Sequence, residues 1–257
     1  MDHDRELQLA METARTAGDF LRSSQGRDLG ILSSKGRDIK LEADHEAQTI
    51  ILKGLASHSD YPILAEEMEE GDRNRPMDSP LWIVDPLDGS LNFSRGIPFS
   101  AVSIALWKGD QALLGVVYDF NHNEMFRGLV GKGAWGKEEN PLIVSTISEP
   151  SQATLATGFP VARSFSPQSI AASIERSRQF KKLRLFGSAA LSLAYVASGR
   201  VDAYMEEDVM LWDVAAGIAL VEAAGGHVKI DRSSQVAWAV TVRGAGQSLL
   251  CEHMAVD

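Results

Sequence analysis

Apolar residues recur every three or four positions at Leu7, Ala10, Met11, Ala14, Ala17 and Leu21, a spacing that predicts an amphipathic helix with one face on a core. The polar, glycine-punctuated stretch from Ser23 to Asp38 reads as a loop. Ala43, Ala47, Ile50, Ile51 and Leu55 then repeat the helical stripe, with Asp44 near its start. Tyr61-Pro62-Ile63-Leu64-Ala65 and Leu81-Trp82-Ile83-Val84 are short apolar runs bounded by turn formers and acids, the pattern of strands, and both end in carboxylates. From Phe99 to Tyr118, apolar segments flank Lys108-Gly109-Asp110, which predicts an antiparallel hairpin. A second hairpin-like passage runs through Asn121-His122-Asn123 and Gly131-Lys132-Gly133 to Leu142-Ile143-Val144.

The pattern changes near Ser145, which divides the chain into an N-terminal α+β region, 1–144, and a C-terminal α/β region, 145–257. The second region begins with a strand at Ala153 to Gly158 and a helix around Pro167 to Phe180. A further helix, Ser188 to Ala197, is opened by Ser188 as a cap and closed by Gly199. The helix from Trp212 to Ala224 stops at Gly225-Gly226 and precedes a strand at His227-Val228-Lys229-Ile230. There is no internal repeat and no low-complexity tract.

Composition narrows the classes. At 257 residues and 44% hydrophobic, the chain can bury a sizeable core. A net charge of -10 argues against an electrostatic nucleic-acid binder or a polybasic membrane-surface protein, so no direct nucleic-acid partner is expected. The single cysteine, Cys251, excludes an internal disulfide framework and a Cys-rich zinc site. The polar start, Met1 to Arg5, is not the opening of a signal peptide, and no 18-residue apolar run offers a membrane span. A reducing, cytoplasmic setting is the expectation. The six histidines show no ligand spacing.

Three acidic clusters carry the chemistry: Glu66-Glu67, Asp85-Pro86-Leu87-Asp88-Gly89-Ser90 and Trp212-Asp213. Carboxylates at strand ends and helix starts can converge at one sheet edge, where two charges about 4 Å apart repel by roughly 4 kcal/mol at an intermediate dielectric. Convergence calls for cations. All-oxygen donors select hard ions, Mg2+ above all, with Mn2+ or Ca2+ as competitors. A tight turn after the strand would put Asp85 and Asp88 on one side with the Leu87 carbonyl between them, and a helix starting at Gly89-Ser90 would offer free N–H groups to phosphate. On local sequence alone Glu66-Glu67 reads as a solvated acidic face, since Glu69, Glu70 and Asp72 follow; the other motifs reverse that reading for Glu66. Glu206 has the same rival reading, because Glu207 and Asp208 adjoin it. Trp212 reads as an apolar wedge holding the helix of Asp213.

In order along the chain, Ile63-Leu64-Ala65-Glu66-Glu67, Trp82 to Phe93, Gly187-Ser188-Ala189-Ala190, Trp212 to Gly217 and Glu222 to Gly226 resemble the motifs of the inositol monophosphatase family, within the superfamily that also holds fructose-1,6-bisphosphatases. The resemblance implies an α+β fold, a layered αβαβα sandwich, and a Mg2+-dependent phosphomonoesterase that hydrolyses inositol monophosphate through metal-activated water. It implies two or three Mg2+ per site, with Mn2+ as a substitute and Ca2+ or Li+ as inhibitors. Glu66, Asp85, the Leu87 carbonyl, Asp88 and Asp213 would hold metal. Gly89 and Ser90 would hold phosphate, with Ser90 and Asp44 helping to orient the attacking water. Asp88, Ala189 and Glu206 would contact the substrate, and Lys35 would belong to a mobile loop that closes near the metals.

A homodimer is implied as well. So are sibling activities on fructose 1,6-bisphosphate, histidinol phosphate or a phosphonucleotide, and the accessory role in transcription complexes that some bacterial members serve. Two departures stand out. Leu41 takes the place of a threonine usual three residues before Asp44, and Ser90 replaces a commoner threonine while keeping the hydroxyl.

Overall fold

The first helical stripe forms α1 (Asp4–Ser24), which buries Leu7, Ala10, Ala14, Ala17 and Leu21. A computed structural model describes residues 3–26, 31–35, 38–73, 77–159, 166–234 and 236–254. Where the sequence reads as one long loop, α1 continues to Ser24 and an antiparallel pair follows, β1 (Ile31–Lys35) and β2 (Asp38–Leu41). Glycine and charge content masks that ladder, because a backbone ladder depends on pairing rather than on side-chain polarity. Next, α2 (Glu42–Ala56) buries Ala43, Ala47, Ile51 and Leu55.

Helices α1 and α2 cover one face of a six-stranded sheet whose strands lie in chain order: β3 (Ile63–Ala65), β4 (Leu81–Asp88), β5 (Ala101–Lys108), β6 (Gln111–Asp119), β7 (Glu124–Leu129) and β8 (Gly133–Trp135). Strand β3 pairs with β4 in parallel, and the rest are antiparallel. The short helix α3 (Ser90–Ser94) follows β4. Leu142 to Val144 is not a strand; beyond an isolated bridge from Trp135 to Pro141 and a bond from the Leu142 N–H to the Ala134 carbonyl, the chain runs on toward the second sheet.

That sheet comprises β9 (Thr154–Thr157), β10 (Lys182–Arg184), β11 (Ala203–Met210), β12 (His227–Arg232) and β13 (Ala239–Ala245), in the order β10-β9-β11-β13-β12. Helices α5 (Ala189–Ala197) and α6 (Leu211–Ala223) fill the space between the sheets. Helix α6 is buried on nearly every side, as a helix apolar all round must be. Its packing joins Leu81, Ile83 and Trp107 of the first sheet to Val240 and Val242 of the second. Gly115 on β6 permits the close contact, since a Cβ there would stand 2.3 Å from the Ala216 carbonyl oxygen. On the far face of the second sheet lie α4 (Pro167–Ser177) and α7 (Ser248–His253), the latter packed through Leu250 and Cys251 on Leu155, Met205 and Ala245. The result is the αβαβα sandwich that the sequence resemblance implies.

Candidate active site

The parallel pairing of Ala65 with Val84 brings the two residues that follow, Glu66 and Asp85, side by side at one end of the first sheet. Asp213, in the first turn of α6, completes a group in which one carboxylate oxygen from each acid lies within 4.8 Å of the others. The Met210 backbone N–H just ahead of the helix favours the charged form of the Asp213 carboxyl.

The expected tight turn at Asp85 to Asp88 is a strand irregularity. Strand β4 runs through to Asp88, and its register against β5 shifts between Asp85 and Asp88. Pro86 has no N–H to give the ladder, which makes this the natural place for a bulge. The Leu87 N–H donates to Asp85 Oδ1 at 2.9 Å, which orients the carboxylate.

Asp88 stands beside the cluster but faces the start of α5. It accepts from the Ser188 hydroxyl and from the backbone N–H groups of Ala190 at 2.8 Å and Ala189 at 3.3 Å. Gly89, at φ 90°, precedes α3 in a left-handed conformation that glycine adopts without strain. Helix α3 has only five residues, so phosphate expected at this turn would rely on local N–H groups more than on a macrodipole. The Ser90 hydroxyl donates to the Leu87 carbonyl at 2.9 Å and lies 3.4 Å from Asp44 Oδ1. Asp44 is buried at the start of α2, where its Oδ2 accepts from the Leu41 N–H at 2.7 Å.

Glu206 lies on β11, which is irregular between Glu206 and Val209. Tyr204 Oη donates to its Oε2 at 2.8 Å. Gly158 makes room for the carboxylate, since a Cβ there would stand 2.2 Å from Oε2. Glu207 turns instead to an ion pair with Arg176, so the acidic run is divided rather than jointly solvated. Ala189 is the first residue of α5, partly buried beside Asp88. Lys35 ends β1; its side chain and Gly36 lie outside what the structure describes.

Electrostatics agree with the geometry. Burial raises the Asp85 and Asp213 carboxyls well above the usual carboxylate range, and the neighbouring charges, Glu66 first, raise them further. Asp88 is pushed up to about 6 by burial, against the hydrogen bonds from Ser188 and the α5 backbone. Glu206 is pushed up to about 7 by burial, with the Asp88 charge adding and the Tyr204 bond opposing. A buried Asp85 converging with the partly buried Glu66 and Asp213 fits a hard divalent cation by number, donor type and spacing.

Several supporting residues escape sequence reasoning. The Arg73 guanidinium lies 4.8 Å from the centre of the Trp212 ring and donates to the Glu66 carbonyl, tying the segment after β3 to α6. Gln48 accepts from the Glu67 N–H at 3.0 Å, and His45 stands 3.6 Å from the Glu67 carboxylate. Trp212 is buried, as its reading as a wedge requires. Arg73 sits in a polar stretch with no local signal, and only the tertiary fold brings it to Trp212.

Two sheets sandwiching α5 and α6, with acids converging from β3, β4 and α6, define the class, and the chain belongs to the inositol monophosphatase family, whose model matches residues 2–250. Among curated relatives, the Nus factor SuhB of Xylella fastidiosa is 36% identical over 226 residues, which cover 86% of this chain and 80% of that protein. The inositol-1-monophosphatase of Caulobacter vibrioides is 36% identical over 232 residues, covering 87% and 89%. The solved structure of the inositol monophosphatase from Anabaena superposes with a TM-score of 0.83 at 33% identity, covering 98% of this chain and 95% of that one.

Proposed function

We propose that this protein is a Mg2+-dependent phosphomonoesterase acting on inositol monophosphate. The observation that carries the reading is the convergence of Glu66, Asp85 and Asp213 within 4.8 Å, flanked by Asp88 and the Gly89-Ser90 turn. Glu66, Asp85, the Leu87 carbonyl, Asp88 and Asp213 would hold the cations. A divalent ion bound there supplies Lewis acidity, which polarises phosphoryl oxygens, acidifies water and offsets charge on a leaving alkoxide.

The protein's own groups do the rest. Gly89 and Ser90 receive the phosphate through backbone N–H groups and a hydroxyl. Ser90 and Asp44, within reach of each other, orient the attacking water. Glu206 accepts a hydrogen bond from a hydroxyl of the polyol, with Ala189 beside it, and Lys35 closes the site from β1. A homodimer in the cytoplasm completes the reading; no helix among the described residues is long and apolar enough to cross a membrane. Phosphate release from a panel of phosphomonoesters, measured with and without Mg2+, tests it. Inositol 1-phosphate should lead the panel, ahead of fructose 1,6-bisphosphate, histidinol phosphate and phosphonucleotides, and no release with any substrate refutes the activity.

The relatives named Nus factor favour a second reading, an accessory role in transcription complexes that coexists with catalysis. Pull-downs with wild type and Asp85→Asn decide it. Transcription proteins retained equally by both support a binding role independent of the site, and none retained by either removes it.

A further inference from the structure

We infer that Asn92 is a positioning residue whose carboxamide fastens the Gly89-Ser90 turn to the segment leading into α5, and thereby sets Asp88 and Ala189 against that turn. The inference rests on the phosphatase reading above, which gives the turn its ligand.

Asn92 Nδ2 donates to the Phe99 and Phe186 carbonyl oxygens, both at 2.8 Å, and stands 3.4 Å from the Gly187 carbonyl oxygen. An amide nitrogen carries two protons, so the two short bonds use both. Helix α3 and the residues ahead of β5 thereby meet, on this one group, a segment far away in sequence, the residues ahead of α5. Gly89 lies in the same junction, where a Cβ would stand 2.9 Å from the Phe99 carbonyl oxygen and 3.2 Å from that of Gly187. The Phe99 and Phe186 rings stack at 4.7 Å, and both rings pack edge-on against Tyr195 of α5.

The next residue, Ser188, is the N-cap of α5, and its hydroxyl also bonds Asp88. Asn92 thus reaches Asp88 through Gly187 and Ser188. The carboxamide is neutral, so its removal acts through geometry and not through the field of the acids. Such a clasp governs how well the turn and the α5 terminus face one phosphate, and misplacement by about 1 Å can cost on the order of a hundred-fold in rate.

The test uses the full chain with Asn92→Ala and Asn92→Asp. The second is nearly isosteric but turns an acceptor toward two carbonyl oxygens. With Mg2+, the KM for p-nitrophenyl phosphate and the inhibition constant of inorganic phosphate should rise together by roughly ten-fold. Asn92→Asp should be hit at least as hard as Asn92→Ala, with kcat falling less than KM rises. In the metal-free protein, the Ala189 and Ala190 amides should exchange roughly ten-fold faster while the centres of β5 and β6 keep their protection.

Unchanged KM and phosphate inhibition overturn the inference, whatever the exchange shows, and so does exchange raised evenly throughout the chain. Should Asn92→Ala fail to fold, Asn92→Ser, whose hydroxyl is too short to span the junction, carries the same expectations. Wild type that releases no phosphate with Mg2+ defeats the phosphatase reading instead, and the metal-free exchange then decides the clasp by itself.

Discussion

Asp85 is raised by burial and by the charges of Glu66, Asp88 and Asp213 in turn, so in the metal-free fold its charge is a liability that a proton or a bound cation would offset. Asp85→Asn is expected to cut Mg2+-dependent phosphate release by roughly a hundred-fold or more while leaving the thermal midpoint in EDTA equal to wild type or higher. Retained turnover at saturating Mg2+ would show that the cations sit elsewhere. Glu206 tests substrate recognition separately, since its carboxylate is bonded to Tyr204 and belongs neither to the converging acids nor to the Gly89-Ser90 turn. A hydrogen bond to a charged acceptor contributes about 1.5 to 3 kcal/mol, so Glu206→Leu should lower kcat/KM for inositol 1-phosphate by roughly ten- to a hundred-fold. Against p-nitrophenyl phosphate, which offers no hydroxyl, the loss should be small. Equal losses on both substrates would return Glu206 to a structural role. At this scale Asp85, Asp88 and Asp213 were legible because their motifs follow a strand or open a helix, Glu66 and Glu206 only through the resemblance of the surrounding motifs, whereas Arg73, Gln48 and Asn92 act through partners that only the folded chain supplies.

Helix α2 begins with an acid at its third position, Asp44, that accepts the N–H of Leu41, the residue before the helix, and Leu41 has no side chain able to return the bond. Half of a capping box is present there. Leu41→Thr would complete it on α2, worth about 0.5 to 2 kcal/mol. Leu41 is only 2% exposed and belongs to the core under α1 and α2, where truncating a leucine to alanine costs about 2 to 5 kcal/mol. The packing loss is the larger, so Leu41→Thr should lower the thermal midpoint while Mg2+ affinity, measured by calorimetry, stays within about two-fold. A raised midpoint would mean that the cap outweighs the core. Elements with a repeated buried face were readable from sequence: α1, α2, α5, α6, β3, β4 and the hairpin of β5 and β6. Strand β11 was not, because Glu206-Glu207-Asp208 interrupts its apolar run where the register shifts, and β10 was not, because all three of its residues are exposed. Helix α7 is six residues long, too short to show a period.

Across the whole molecule, a chain of net charge -10 folds so that several of its acids come together around the buried Asp85, which makes its stability depend on protons and, under the proposed function, on cations as well. The layered architecture follows from the alternation of apolar elements, but the concentration of charge at one end of the first sheet depends on which strands pair and on α6 threading between the sheets. The pH dependence follows from the raised carboxyls. A carboxyl raised in the folded state holds its proton more tightly there than in the unfolded chain. Its contribution to stability is therefore fully present below the unfolded value and is lost as pH rises through the folded one. Glu206 is raised from 4.5 to about 7 and Asp88 from 3.8 to about 6, and Asp85 and Asp213 move in the same direction. In EDTA the thermal midpoint should accordingly fall as pH rises from about 4 to about 7, since each ten-fold gain in a carboxyl's proton affinity on folding is worth at most about 1.4 kcal/mol before solvent screening. Mg2+ competes with protons for the same oxygens, so the stabilisation it confers should grow over that range, and the midpoint measured with Mg2+ should be the flatter of the two. Glu206→Gln should remove the Glu206 share of the EDTA slope, making the variant more stable than wild type above about pH 7 and no more stable below about pH 4. A midpoint in EDTA that stays level or rises between those limits would show that these carboxyls are solvated, and the case for a buried cation site would fall with it.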